Sequence, residues 1–409
     1  MIHGVRHETD ISIPTILFGA FDRHNFGDLL FPHITAALLE GENLLYAGLA
    51  ERDLRSHGGH RVRAVAQLAA EWGERPTNII HVGGELLTCD AWQAAVMLLP
   101  PDDAQSIIAR LENRPEERLE WAHRELGIPA LAPYILSRRL FPHTAHVIYN
   151  AVGGVDLNVC DPALQAEVVA NIKAADEVSV RDKVTLTRLA AEGIVSRLTP
   201  DPAVMVAELF GTQIHNRARE CEISRILTAF PQGYIAVQFS ADFGDDATLQ
   251  EIAHQLDQVA ISTGYGVVFF RAGAAAWHDD LSCYQRVAAF MHSQLITIST
   301  SLNLWDICAL ISHSRLYCGS SLHGRIVAMA FALPRINLIQ PGKAEQLSKQ
   351  ATFAATWENG CTPSTIEVHE IAQGISLAFS VDPIQLQQTA GELVTHFRKG
   401  FDAIRSALK

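Results

Sequence analysis

The chain has 409 residues, 48% hydrophobic and 19% charged, with a formal net charge of −13. That length predicts two domains with ample core, and the acidic balance argues against nonspecific nucleic-acid binding and against a generally basic membrane-binding surface. The seven cysteines are scattered without a CxxC pair, which argues against a disulfide framework or a structural zinc site and suits a reducing cytoplasm.

Residues 1–13 read as a loose leader with no signal-peptide core, and no run approaches the ~20 apolar residues of a transmembrane helix. Residues 15–19 are a buried strand, followed by a loop through Asp28 and then a helical period at Leu29, Leu30, Ile34, Ala37 and Leu38. Pro32 is compatible with that helix near its start. Strand, Gly-containing loop and helix open a nucleotide-binding type of βαβ unit. It has neither G-x-G-x-x-G spacing nor a Walker lysine, so neither a dinucleotide nor a P-loop ATP site is supported. Gly27 allows close backbone approach to a ligand, and Asp28 is read as an N-cap or as a partner of sugar hydroxyls.

Residues 44–47 form a further strand, and Val62, Val65, Leu68 and Ala69 suggest a helix ending near Gly73. The strand 78–82 runs into Gly83-Gly84-Glu85, at the end of the sheet where open α/β folds bind ligands. Residues 101–143 are a charged insertion, read as a solvated helix. The strand 146–152 ends at Gly153-Gly154. The strand 177–180 ends at Arg181-Asp182, where a fixed guanidinium can hold a carboxylate or phosphate. Asp201, in Asp-Pro-Ala, is placed to brace the interdomain cleft.

Residues 211–232 carry no strong period, and the domain boundary is placed there. The first domain is 1–212, a second Rossmann-like domain spans 213–380, and a terminal helix fills 381–409 and packs back across the boundary. The second domain restarts with strands at 234–239 and 265–270, the latter ending at Arg271. His278-Asp279-Asp280 resembles a metal site, but three adjacent residues cannot all face one ion, so a solvated helix start is the better reading. His60, His81 and His313 lack motif context, and Cys308 and Cys318 read as core.

The most informative stretch is Gly319-Ser320-Ser321-Leu322-His323-Gly324-Arg325, closed by Pro334. It reads as strand, turn and helix, with Gly319 permitting the turn and Ser320 as N-cap. His323 then lies in the first turn, and Arg325 close behind. A helix N-terminus attracts phosphate or carboxylate, and an uncharged histidine there can accept a proton.

This stretch resembles the signature of the polysaccharide pyruvyl transferase family, a small-residue turn, a Leu-His pair, a helix and a Pro-led strand. The loop Asn25-x-Gly27-Asp28, Gly83-Gly84-Glu85-Leu86-Leu87, Ser179-Val180-Arg181-Asp182 and Asp201-Pro202-Ala203 match in the expected order. The α/β reading, two Rossmann-like domains facing a cleft in a glycosyltransferase-B-like architecture, is also that family's. The resemblance implies transfer of a pyruvyl group from phosphoenolpyruvate to two hydroxyls of a sugar in a cell-surface polysaccharide or exopolysaccharide precursor, giving a ketal. The donor is a substrate and no further cofactor or metal is implied. The acceptor is a sugar or lipid-linked oligosaccharide, met in the cytoplasm or at the inner face of the membrane; peripheral membrane contact and homo-oligomerisation stay open. His323 is the candidate acid/base. Arg181, Arg325, Arg271, Ser320 and Ser321, with the backbone N–H groups of residues 320–322, would hold the donor's anions. Asn25, Gly27, Asp28, Gly83, Gly84, Glu85 and Asp201 would line the acceptor side. Many members carry Arg two residues before the His, where this chain has Ser321, and Arg325 or Arg271 would have to substitute. A sugar-nucleotide glycosyltransferase or a non-catalytic sugar-binding protein would use the same fold.

Overall fold

The computed structural model describes residues 13–39, 43–72, 75–339, 342, 348–358, 360 and 363–408. The expected leader, apart from Ile13, and the expected helix end near Gly73 lie outside the described residues.

Two sheets organise the chain. The first contains β1 (Thr15–Phe18), β2 (Leu44–Gly48), β3 (Arg52–Asp53), β4 (Arg61–Ala64), β5 (Thr77–His81), β6 (Thr144–Val152), β7 (Glu177–Val180) and β8 (Arg197–Leu198). Its order is β3-β4-β2-β1-β5-β6-β7-β8, and all pairs are parallel except β3 with β4. The second contains β9 (Tyr234–Gln238), β10 (Gly266–Phe269), β11 (Ile296–Ile298), β12 (Leu316–Gly319), β13 (Arg335–Leu338) and β14 (Thr365–Ile366), all parallel in the order β11-β10-β9-β12-β13-β14. Strands such as β1, whose four residues are all buried, read as short apolar runs because helices cover both faces of a parallel sheet. In each sheet the connections leave the first strand one way and later return on its other side. The reversal falls between β1 and β5 in one sheet and between β9 and β12 in the other, and such switch points are where open α/β sheets bind ligands.

Several local expectations are corrected. Val62 lies on β4, not on a helix; it is buried between more exposed Arg61 and Arg63, a period of two, and the helix Val65–Trp72 starts after it. The insertion holds two helices, Pro101–Leu111 and Pro115–Leu126, each begun by proline, and Trp121, Ala122 and Leu126 are buried, so it is not simply solvated. Pro32 sits in the second turn of the helix Phe26–Leu38, beyond the first turn where its missing N–H is harmless. Much of the weakly periodic stretch 211–232 is helical, in the helices Val206–Arg217 and Cys221–Ala229, and the boundary placed at 212/213 falls inside the first of these.

One hydrophobic cluster joins the halves. Phe26, Leu30 and Phe31 of the first helix pack in it with Leu322 and Ile326 of the second half. The last helix, Pro383–Ala407, adds Leu393, Phe397, Phe401 and Ile404, a stripe spaced for one helical face. It packs back onto the first half closely enough that a Cβ at Gly400 would lie 2.7 Å from Thr199. Cys308 and Cys318 are buried core residues, as expected. No helix among the described residues is long and apolar enough to cross a membrane.

Candidate functional site

A cleft of about 1080 Å³ opens between the sheets at the two switch points. The first half lines it from the loops after β1 and β5, with Asn25, Asp28 and Glu85, and the second from the turns after β9 and β12, with Ser240 and residues 320–323.

The turn before the helix Leu322–Ala330 is held by a network on Gln238. Ser320 N donates to the Gln238 carbonyl at 3.1 Å, so the chain stays on the sheet one residue longer than expected. Ser321 is therefore the N-cap, accepting from Gly324 N at 3.2 Å, while Ser320 Oγ accepts from Ser240 N at 3.1 Å. Ser321 N donates to Gln238 Oε1 and to the Tyr317 hydroxyl, at 2.8 and 3.1 Å. The N–H groups of residues 320 and 321 are thus engaged within the protein, which corrects their assignment as anion holders. The first-turn N–H groups of Leu322 and His323 have no intrahelical partner. Gly319 serves close approach rather than an unusual φ: a Cβ there would sit 2.4 Å from the Gln238 carbonyl oxygen.

His323 is only 8% exposed and its ring packs edge-on against Phe31. Its Nε2 lies 3.5 Å from Asp201 Oδ2, close enough for ion pairing but without hydrogen-bond geometry. Burial pushes the Asp201 carboxyl up, but His323 and the Arg181 guanidinium outweigh it and hold it below the usual carboxylate range. Arg181 Nη1 donates to Asp201 Oδ2 at 3.0 Å, and its Nη2 donates to Glu85. The sequence expectation for His323 rested on the helix field alone, and left out this carboxylate from the other half. Gly27 also has an unexpected neighbour: a Cβ on it would lie 1.9 Å from His323 Nδ1, so the backbone approach it permits is to the histidine ring.

The expected anion clamp is rearranged. Arg181 lines the cleft, but it is 2% exposed and held between two carboxylates, not free on a surface. Arg325 is fully buried and points away, donating to Glu358 at 2.7 Å, to Asn337 at 3.3 Å and to the carbonyls of Pro363 and Ser364. Residues two apart on a helix do not share a face, so Arg325 cannot join His323. Arg335 shares Glu358, whose carboxyl burial would raise but the two guanidinium groups hold low. Arg271 is not among the cleft-lining residues and lies near His24. Neither arginine therefore makes the substitution expected for Ser321.

The loop after β1 is also reassigned. Asn25, not Asp28, caps the helix, accepting from Gly27 N at 3.1 Å. Asp28 faces the cleft in the first turn with Arg23 Nη2 3.9 Å away. Gly83 and Gly84 adopt φ of 125° and 100°, values open to glycine, and their nearest neighbours are Pro202 and Asp28, from protein rather than open cleft. Arg23 itself was unmarked by sequence reasoning, although it lies two residues before the matched Asn25. It is half-buried in the cleft wall and donates to the Tyr134 hydroxyl at 2.5 Å. Tyr134 and Arg118 come from the insertion, where no local pattern marked them. Asp280 caps the helix Leu281–Phe290, as a helix start should, but His278 and Asp279 line the cleft.

Two facing Rossmann-type sheets with a cleft at both switch points define a GT-B-type fold. Solved structures of the same fold include putative or established UDP-N-acetylglucosamine 2-epimerases. That of Listeria monocytogenes has a TM-score of 0.54 at 10% identity, over 93% of this chain and 91% of that one. Those of Rickettsia bellii (0.53, 9%, 97% of each) and Methanocaldococcus jannaschii (0.52, 11%, 90% and 91%) are similar. These likenesses show the fold alone. No curated protein sequence matches. The polysaccharide pyruvyl transferase family model matches residues 127–339, more than half of the 409, and the chain belongs to that family.

Proposed function

We propose that the protein transfers the pyruvyl group of phosphoenolpyruvate to two hydroxyls of one sugar of a cell-surface polysaccharide or its precursor, forming a cyclic ketal and releasing phosphate. The observation that carries this reading is His323, set at a helix N-terminus in the cleft and braced from the other half by Asp201 and Arg181. His323 takes the proton of an attacking hydroxyl, and Asp201 orients its ring. The N–H groups of Leu322 and His323 meet a donor oxygen. Arg181 acts by fixing Asp201 and Glu85, while Glu85, Asp28 and Asn25 are placed to hydrogen-bond acceptor hydroxyls. Phosphoenolpyruvate is a substrate, so no resident cofactor enters. The reaction is set in the cytoplasm, at the inner face of the membrane where the acceptor is lipid-linked.

The second reading is a glycosyltransferase using a sugar nucleotide, favoured by fold neighbours that are named for a UDP-sugar. Calorimetry separates the two. Saturable binding of phosphoenolpyruvate, retained in His323→Ala while turnover falls at least a hundredfold, is the expected result. Binding of a UDP-sugar with no binding of phosphoenolpyruvate would sink the first reading.

A further inference from the structure

Ketal formation needs an acid as well as a base, because C3 of the donor must gain a proton while a hydroxyl loses one. Asp279 lines the same cleft as His323, from the loop after β10. Its oxygens accept from neutral donors, Gln238 Nε2 at 2.8 Å and Ala272 N at 2.6 Å. Among the described residues it has no cationic side chain within ion-pair distance. The hydroxyls of Tyr284 and Tyr317 also act on it, and the adjacent His278 lines the same cleft. The same Gln238 accepts through Oε1 from Ser321 N, so one amide fixes both Asp279 and the turn that carries His323. Aspartate placed without a cation in a ligand cleft is a poor structural choice and a suitable proton donor.

We propose that Asp279 is the acid that delivers the proton to C3 of the enol donor, while His323 takes the proton of the attacking hydroxyl. This rests on the pyruvyl-transfer reading. The C3–H bond forms first and reversibly with the Asp279 proton, which leaves C2 electron-poor; the first sugar oxygen then bonds to C2, and His323 receives that hydroxyl's proton. The second hydroxyl then bonds to C2 as the bond from C2 to the phosphate oxygen breaks. Its proton returns to Asp279, and His323 gives its proton to the departing phosphate. One donor and one diol yield one ketal and one hydrogen phosphate, with both side chains restored. Burial raises the Asp279 carboxyl to about 7, against the smaller opposing effects of the bonds from Ala272 and Gln238, so the acid form is available near neutrality.

The test is deuterium uptake at C3 of phosphoenolpyruvate in heavy water, followed by proton NMR, with donor affinity measured in parallel by calorimetry. The wild type is expected to exchange. Its rate should be flat at low pH and fall about tenfold per unit above about pH 7, as the acid form is lost. Asp279→Asn should bind the donor within about threefold of wild type and exchange at least a hundredfold more slowly. Donor binding without wild-type exchange, undiminished exchange in Asp279→Asn, or loss of donor binding in that variant would each overturn the role of Asp279 alone. Failure of the wild type to bind phosphoenolpyruvate would instead overturn the pyruvyl reading.

Discussion

His81 had no motif context, yet its surroundings fix its chemistry. Nδ1 is 3.2 Å from the Ile148 carbonyl, and Nε2 accepts from Leu136 N at 3.1 Å. Only the neutral ring satisfies both, since a second proton would face the Leu136 N–H. Burial accordingly pushes His81 down to about 3, and His60 and His24 to about 3 and 4. A histidine lowered in the folded state binds fewer protons than in the unfolded chain between its two values. Stability should therefore be full above about pH 6.5 and fall on acidification from there toward pH 3. His81→Gln, which keeps a donor and an acceptor, should reduce the slope of unfolding free energy against pH by about one proton in that window. An unchanged slope would show that His81 does not titrate with unfolding. Gly27 is the corresponding case in the cleft. Gly27→Ala should keep the helix, where alanine is the better former. It should lower the proposed pyruvyl transfer about a hundredfold, because the new methyl displaces the His323 ring. Wild-type transfer in that variant would show that the ring position is not critical.

At the scale of elements, the helix Leu322–Ala330 is marked at both ends. Ser321 caps it, and the cap explains what serine does there: it satisfies Gly324 N. The other end closes by two backbone bonds, Ala332 N to Met329 O at 2.9 Å and Leu333 N to Ala328 O at 2.9 Å. That pairing places Ala332 in the left-handed region, with φ of 54°, where glycine is preferred. Ala332→Gly should raise stability by about 1 kcal/mol by removing the Cβ strain, read as a higher urea midpoint at unchanged slope. A lower midpoint would mean that the methyl packing outweighs the strain.

At the scale of the molecule, the two sheets share a core. The cluster that holds Phe31 also holds Ile326 and the Phe397 and Phe401 stripe of the last helix. The side chain of Trp357 adds a bond across the halves, its Nε1 donating to Arg181 O at 2.7 Å. Heating should therefore give a single calorimetric transition. Phe397→Ala should lower that transition as a whole, at a cost of about 3–5 kcal/mol, without splitting it. Two transitions, with only one moved by the substitution, would show that the halves unfold separately.

The longer buried strands and the helix after Leu322 were legible from sequence because each depends on neighbours a few residues away, whereas the short β4 was read as helix. Short apolar runs make buried parallel strands, and a serine before an amphipathic period makes a cap. The partners of the cleft were not legible in that way. Asp201 beside His323, Tyr134 beside Arg23 and Asp279 beside Gln238 join residues 41 to 122 positions apart, and no local pattern encodes such distances. Arg325 shows the reverse: its nearness in sequence to His323 suggested a shared task, but the helix turns it to the opposite side and Glu358 holds it there. Local chemistry determined which residues were available; the crossing of two sheets at their switch points decided which of them meet.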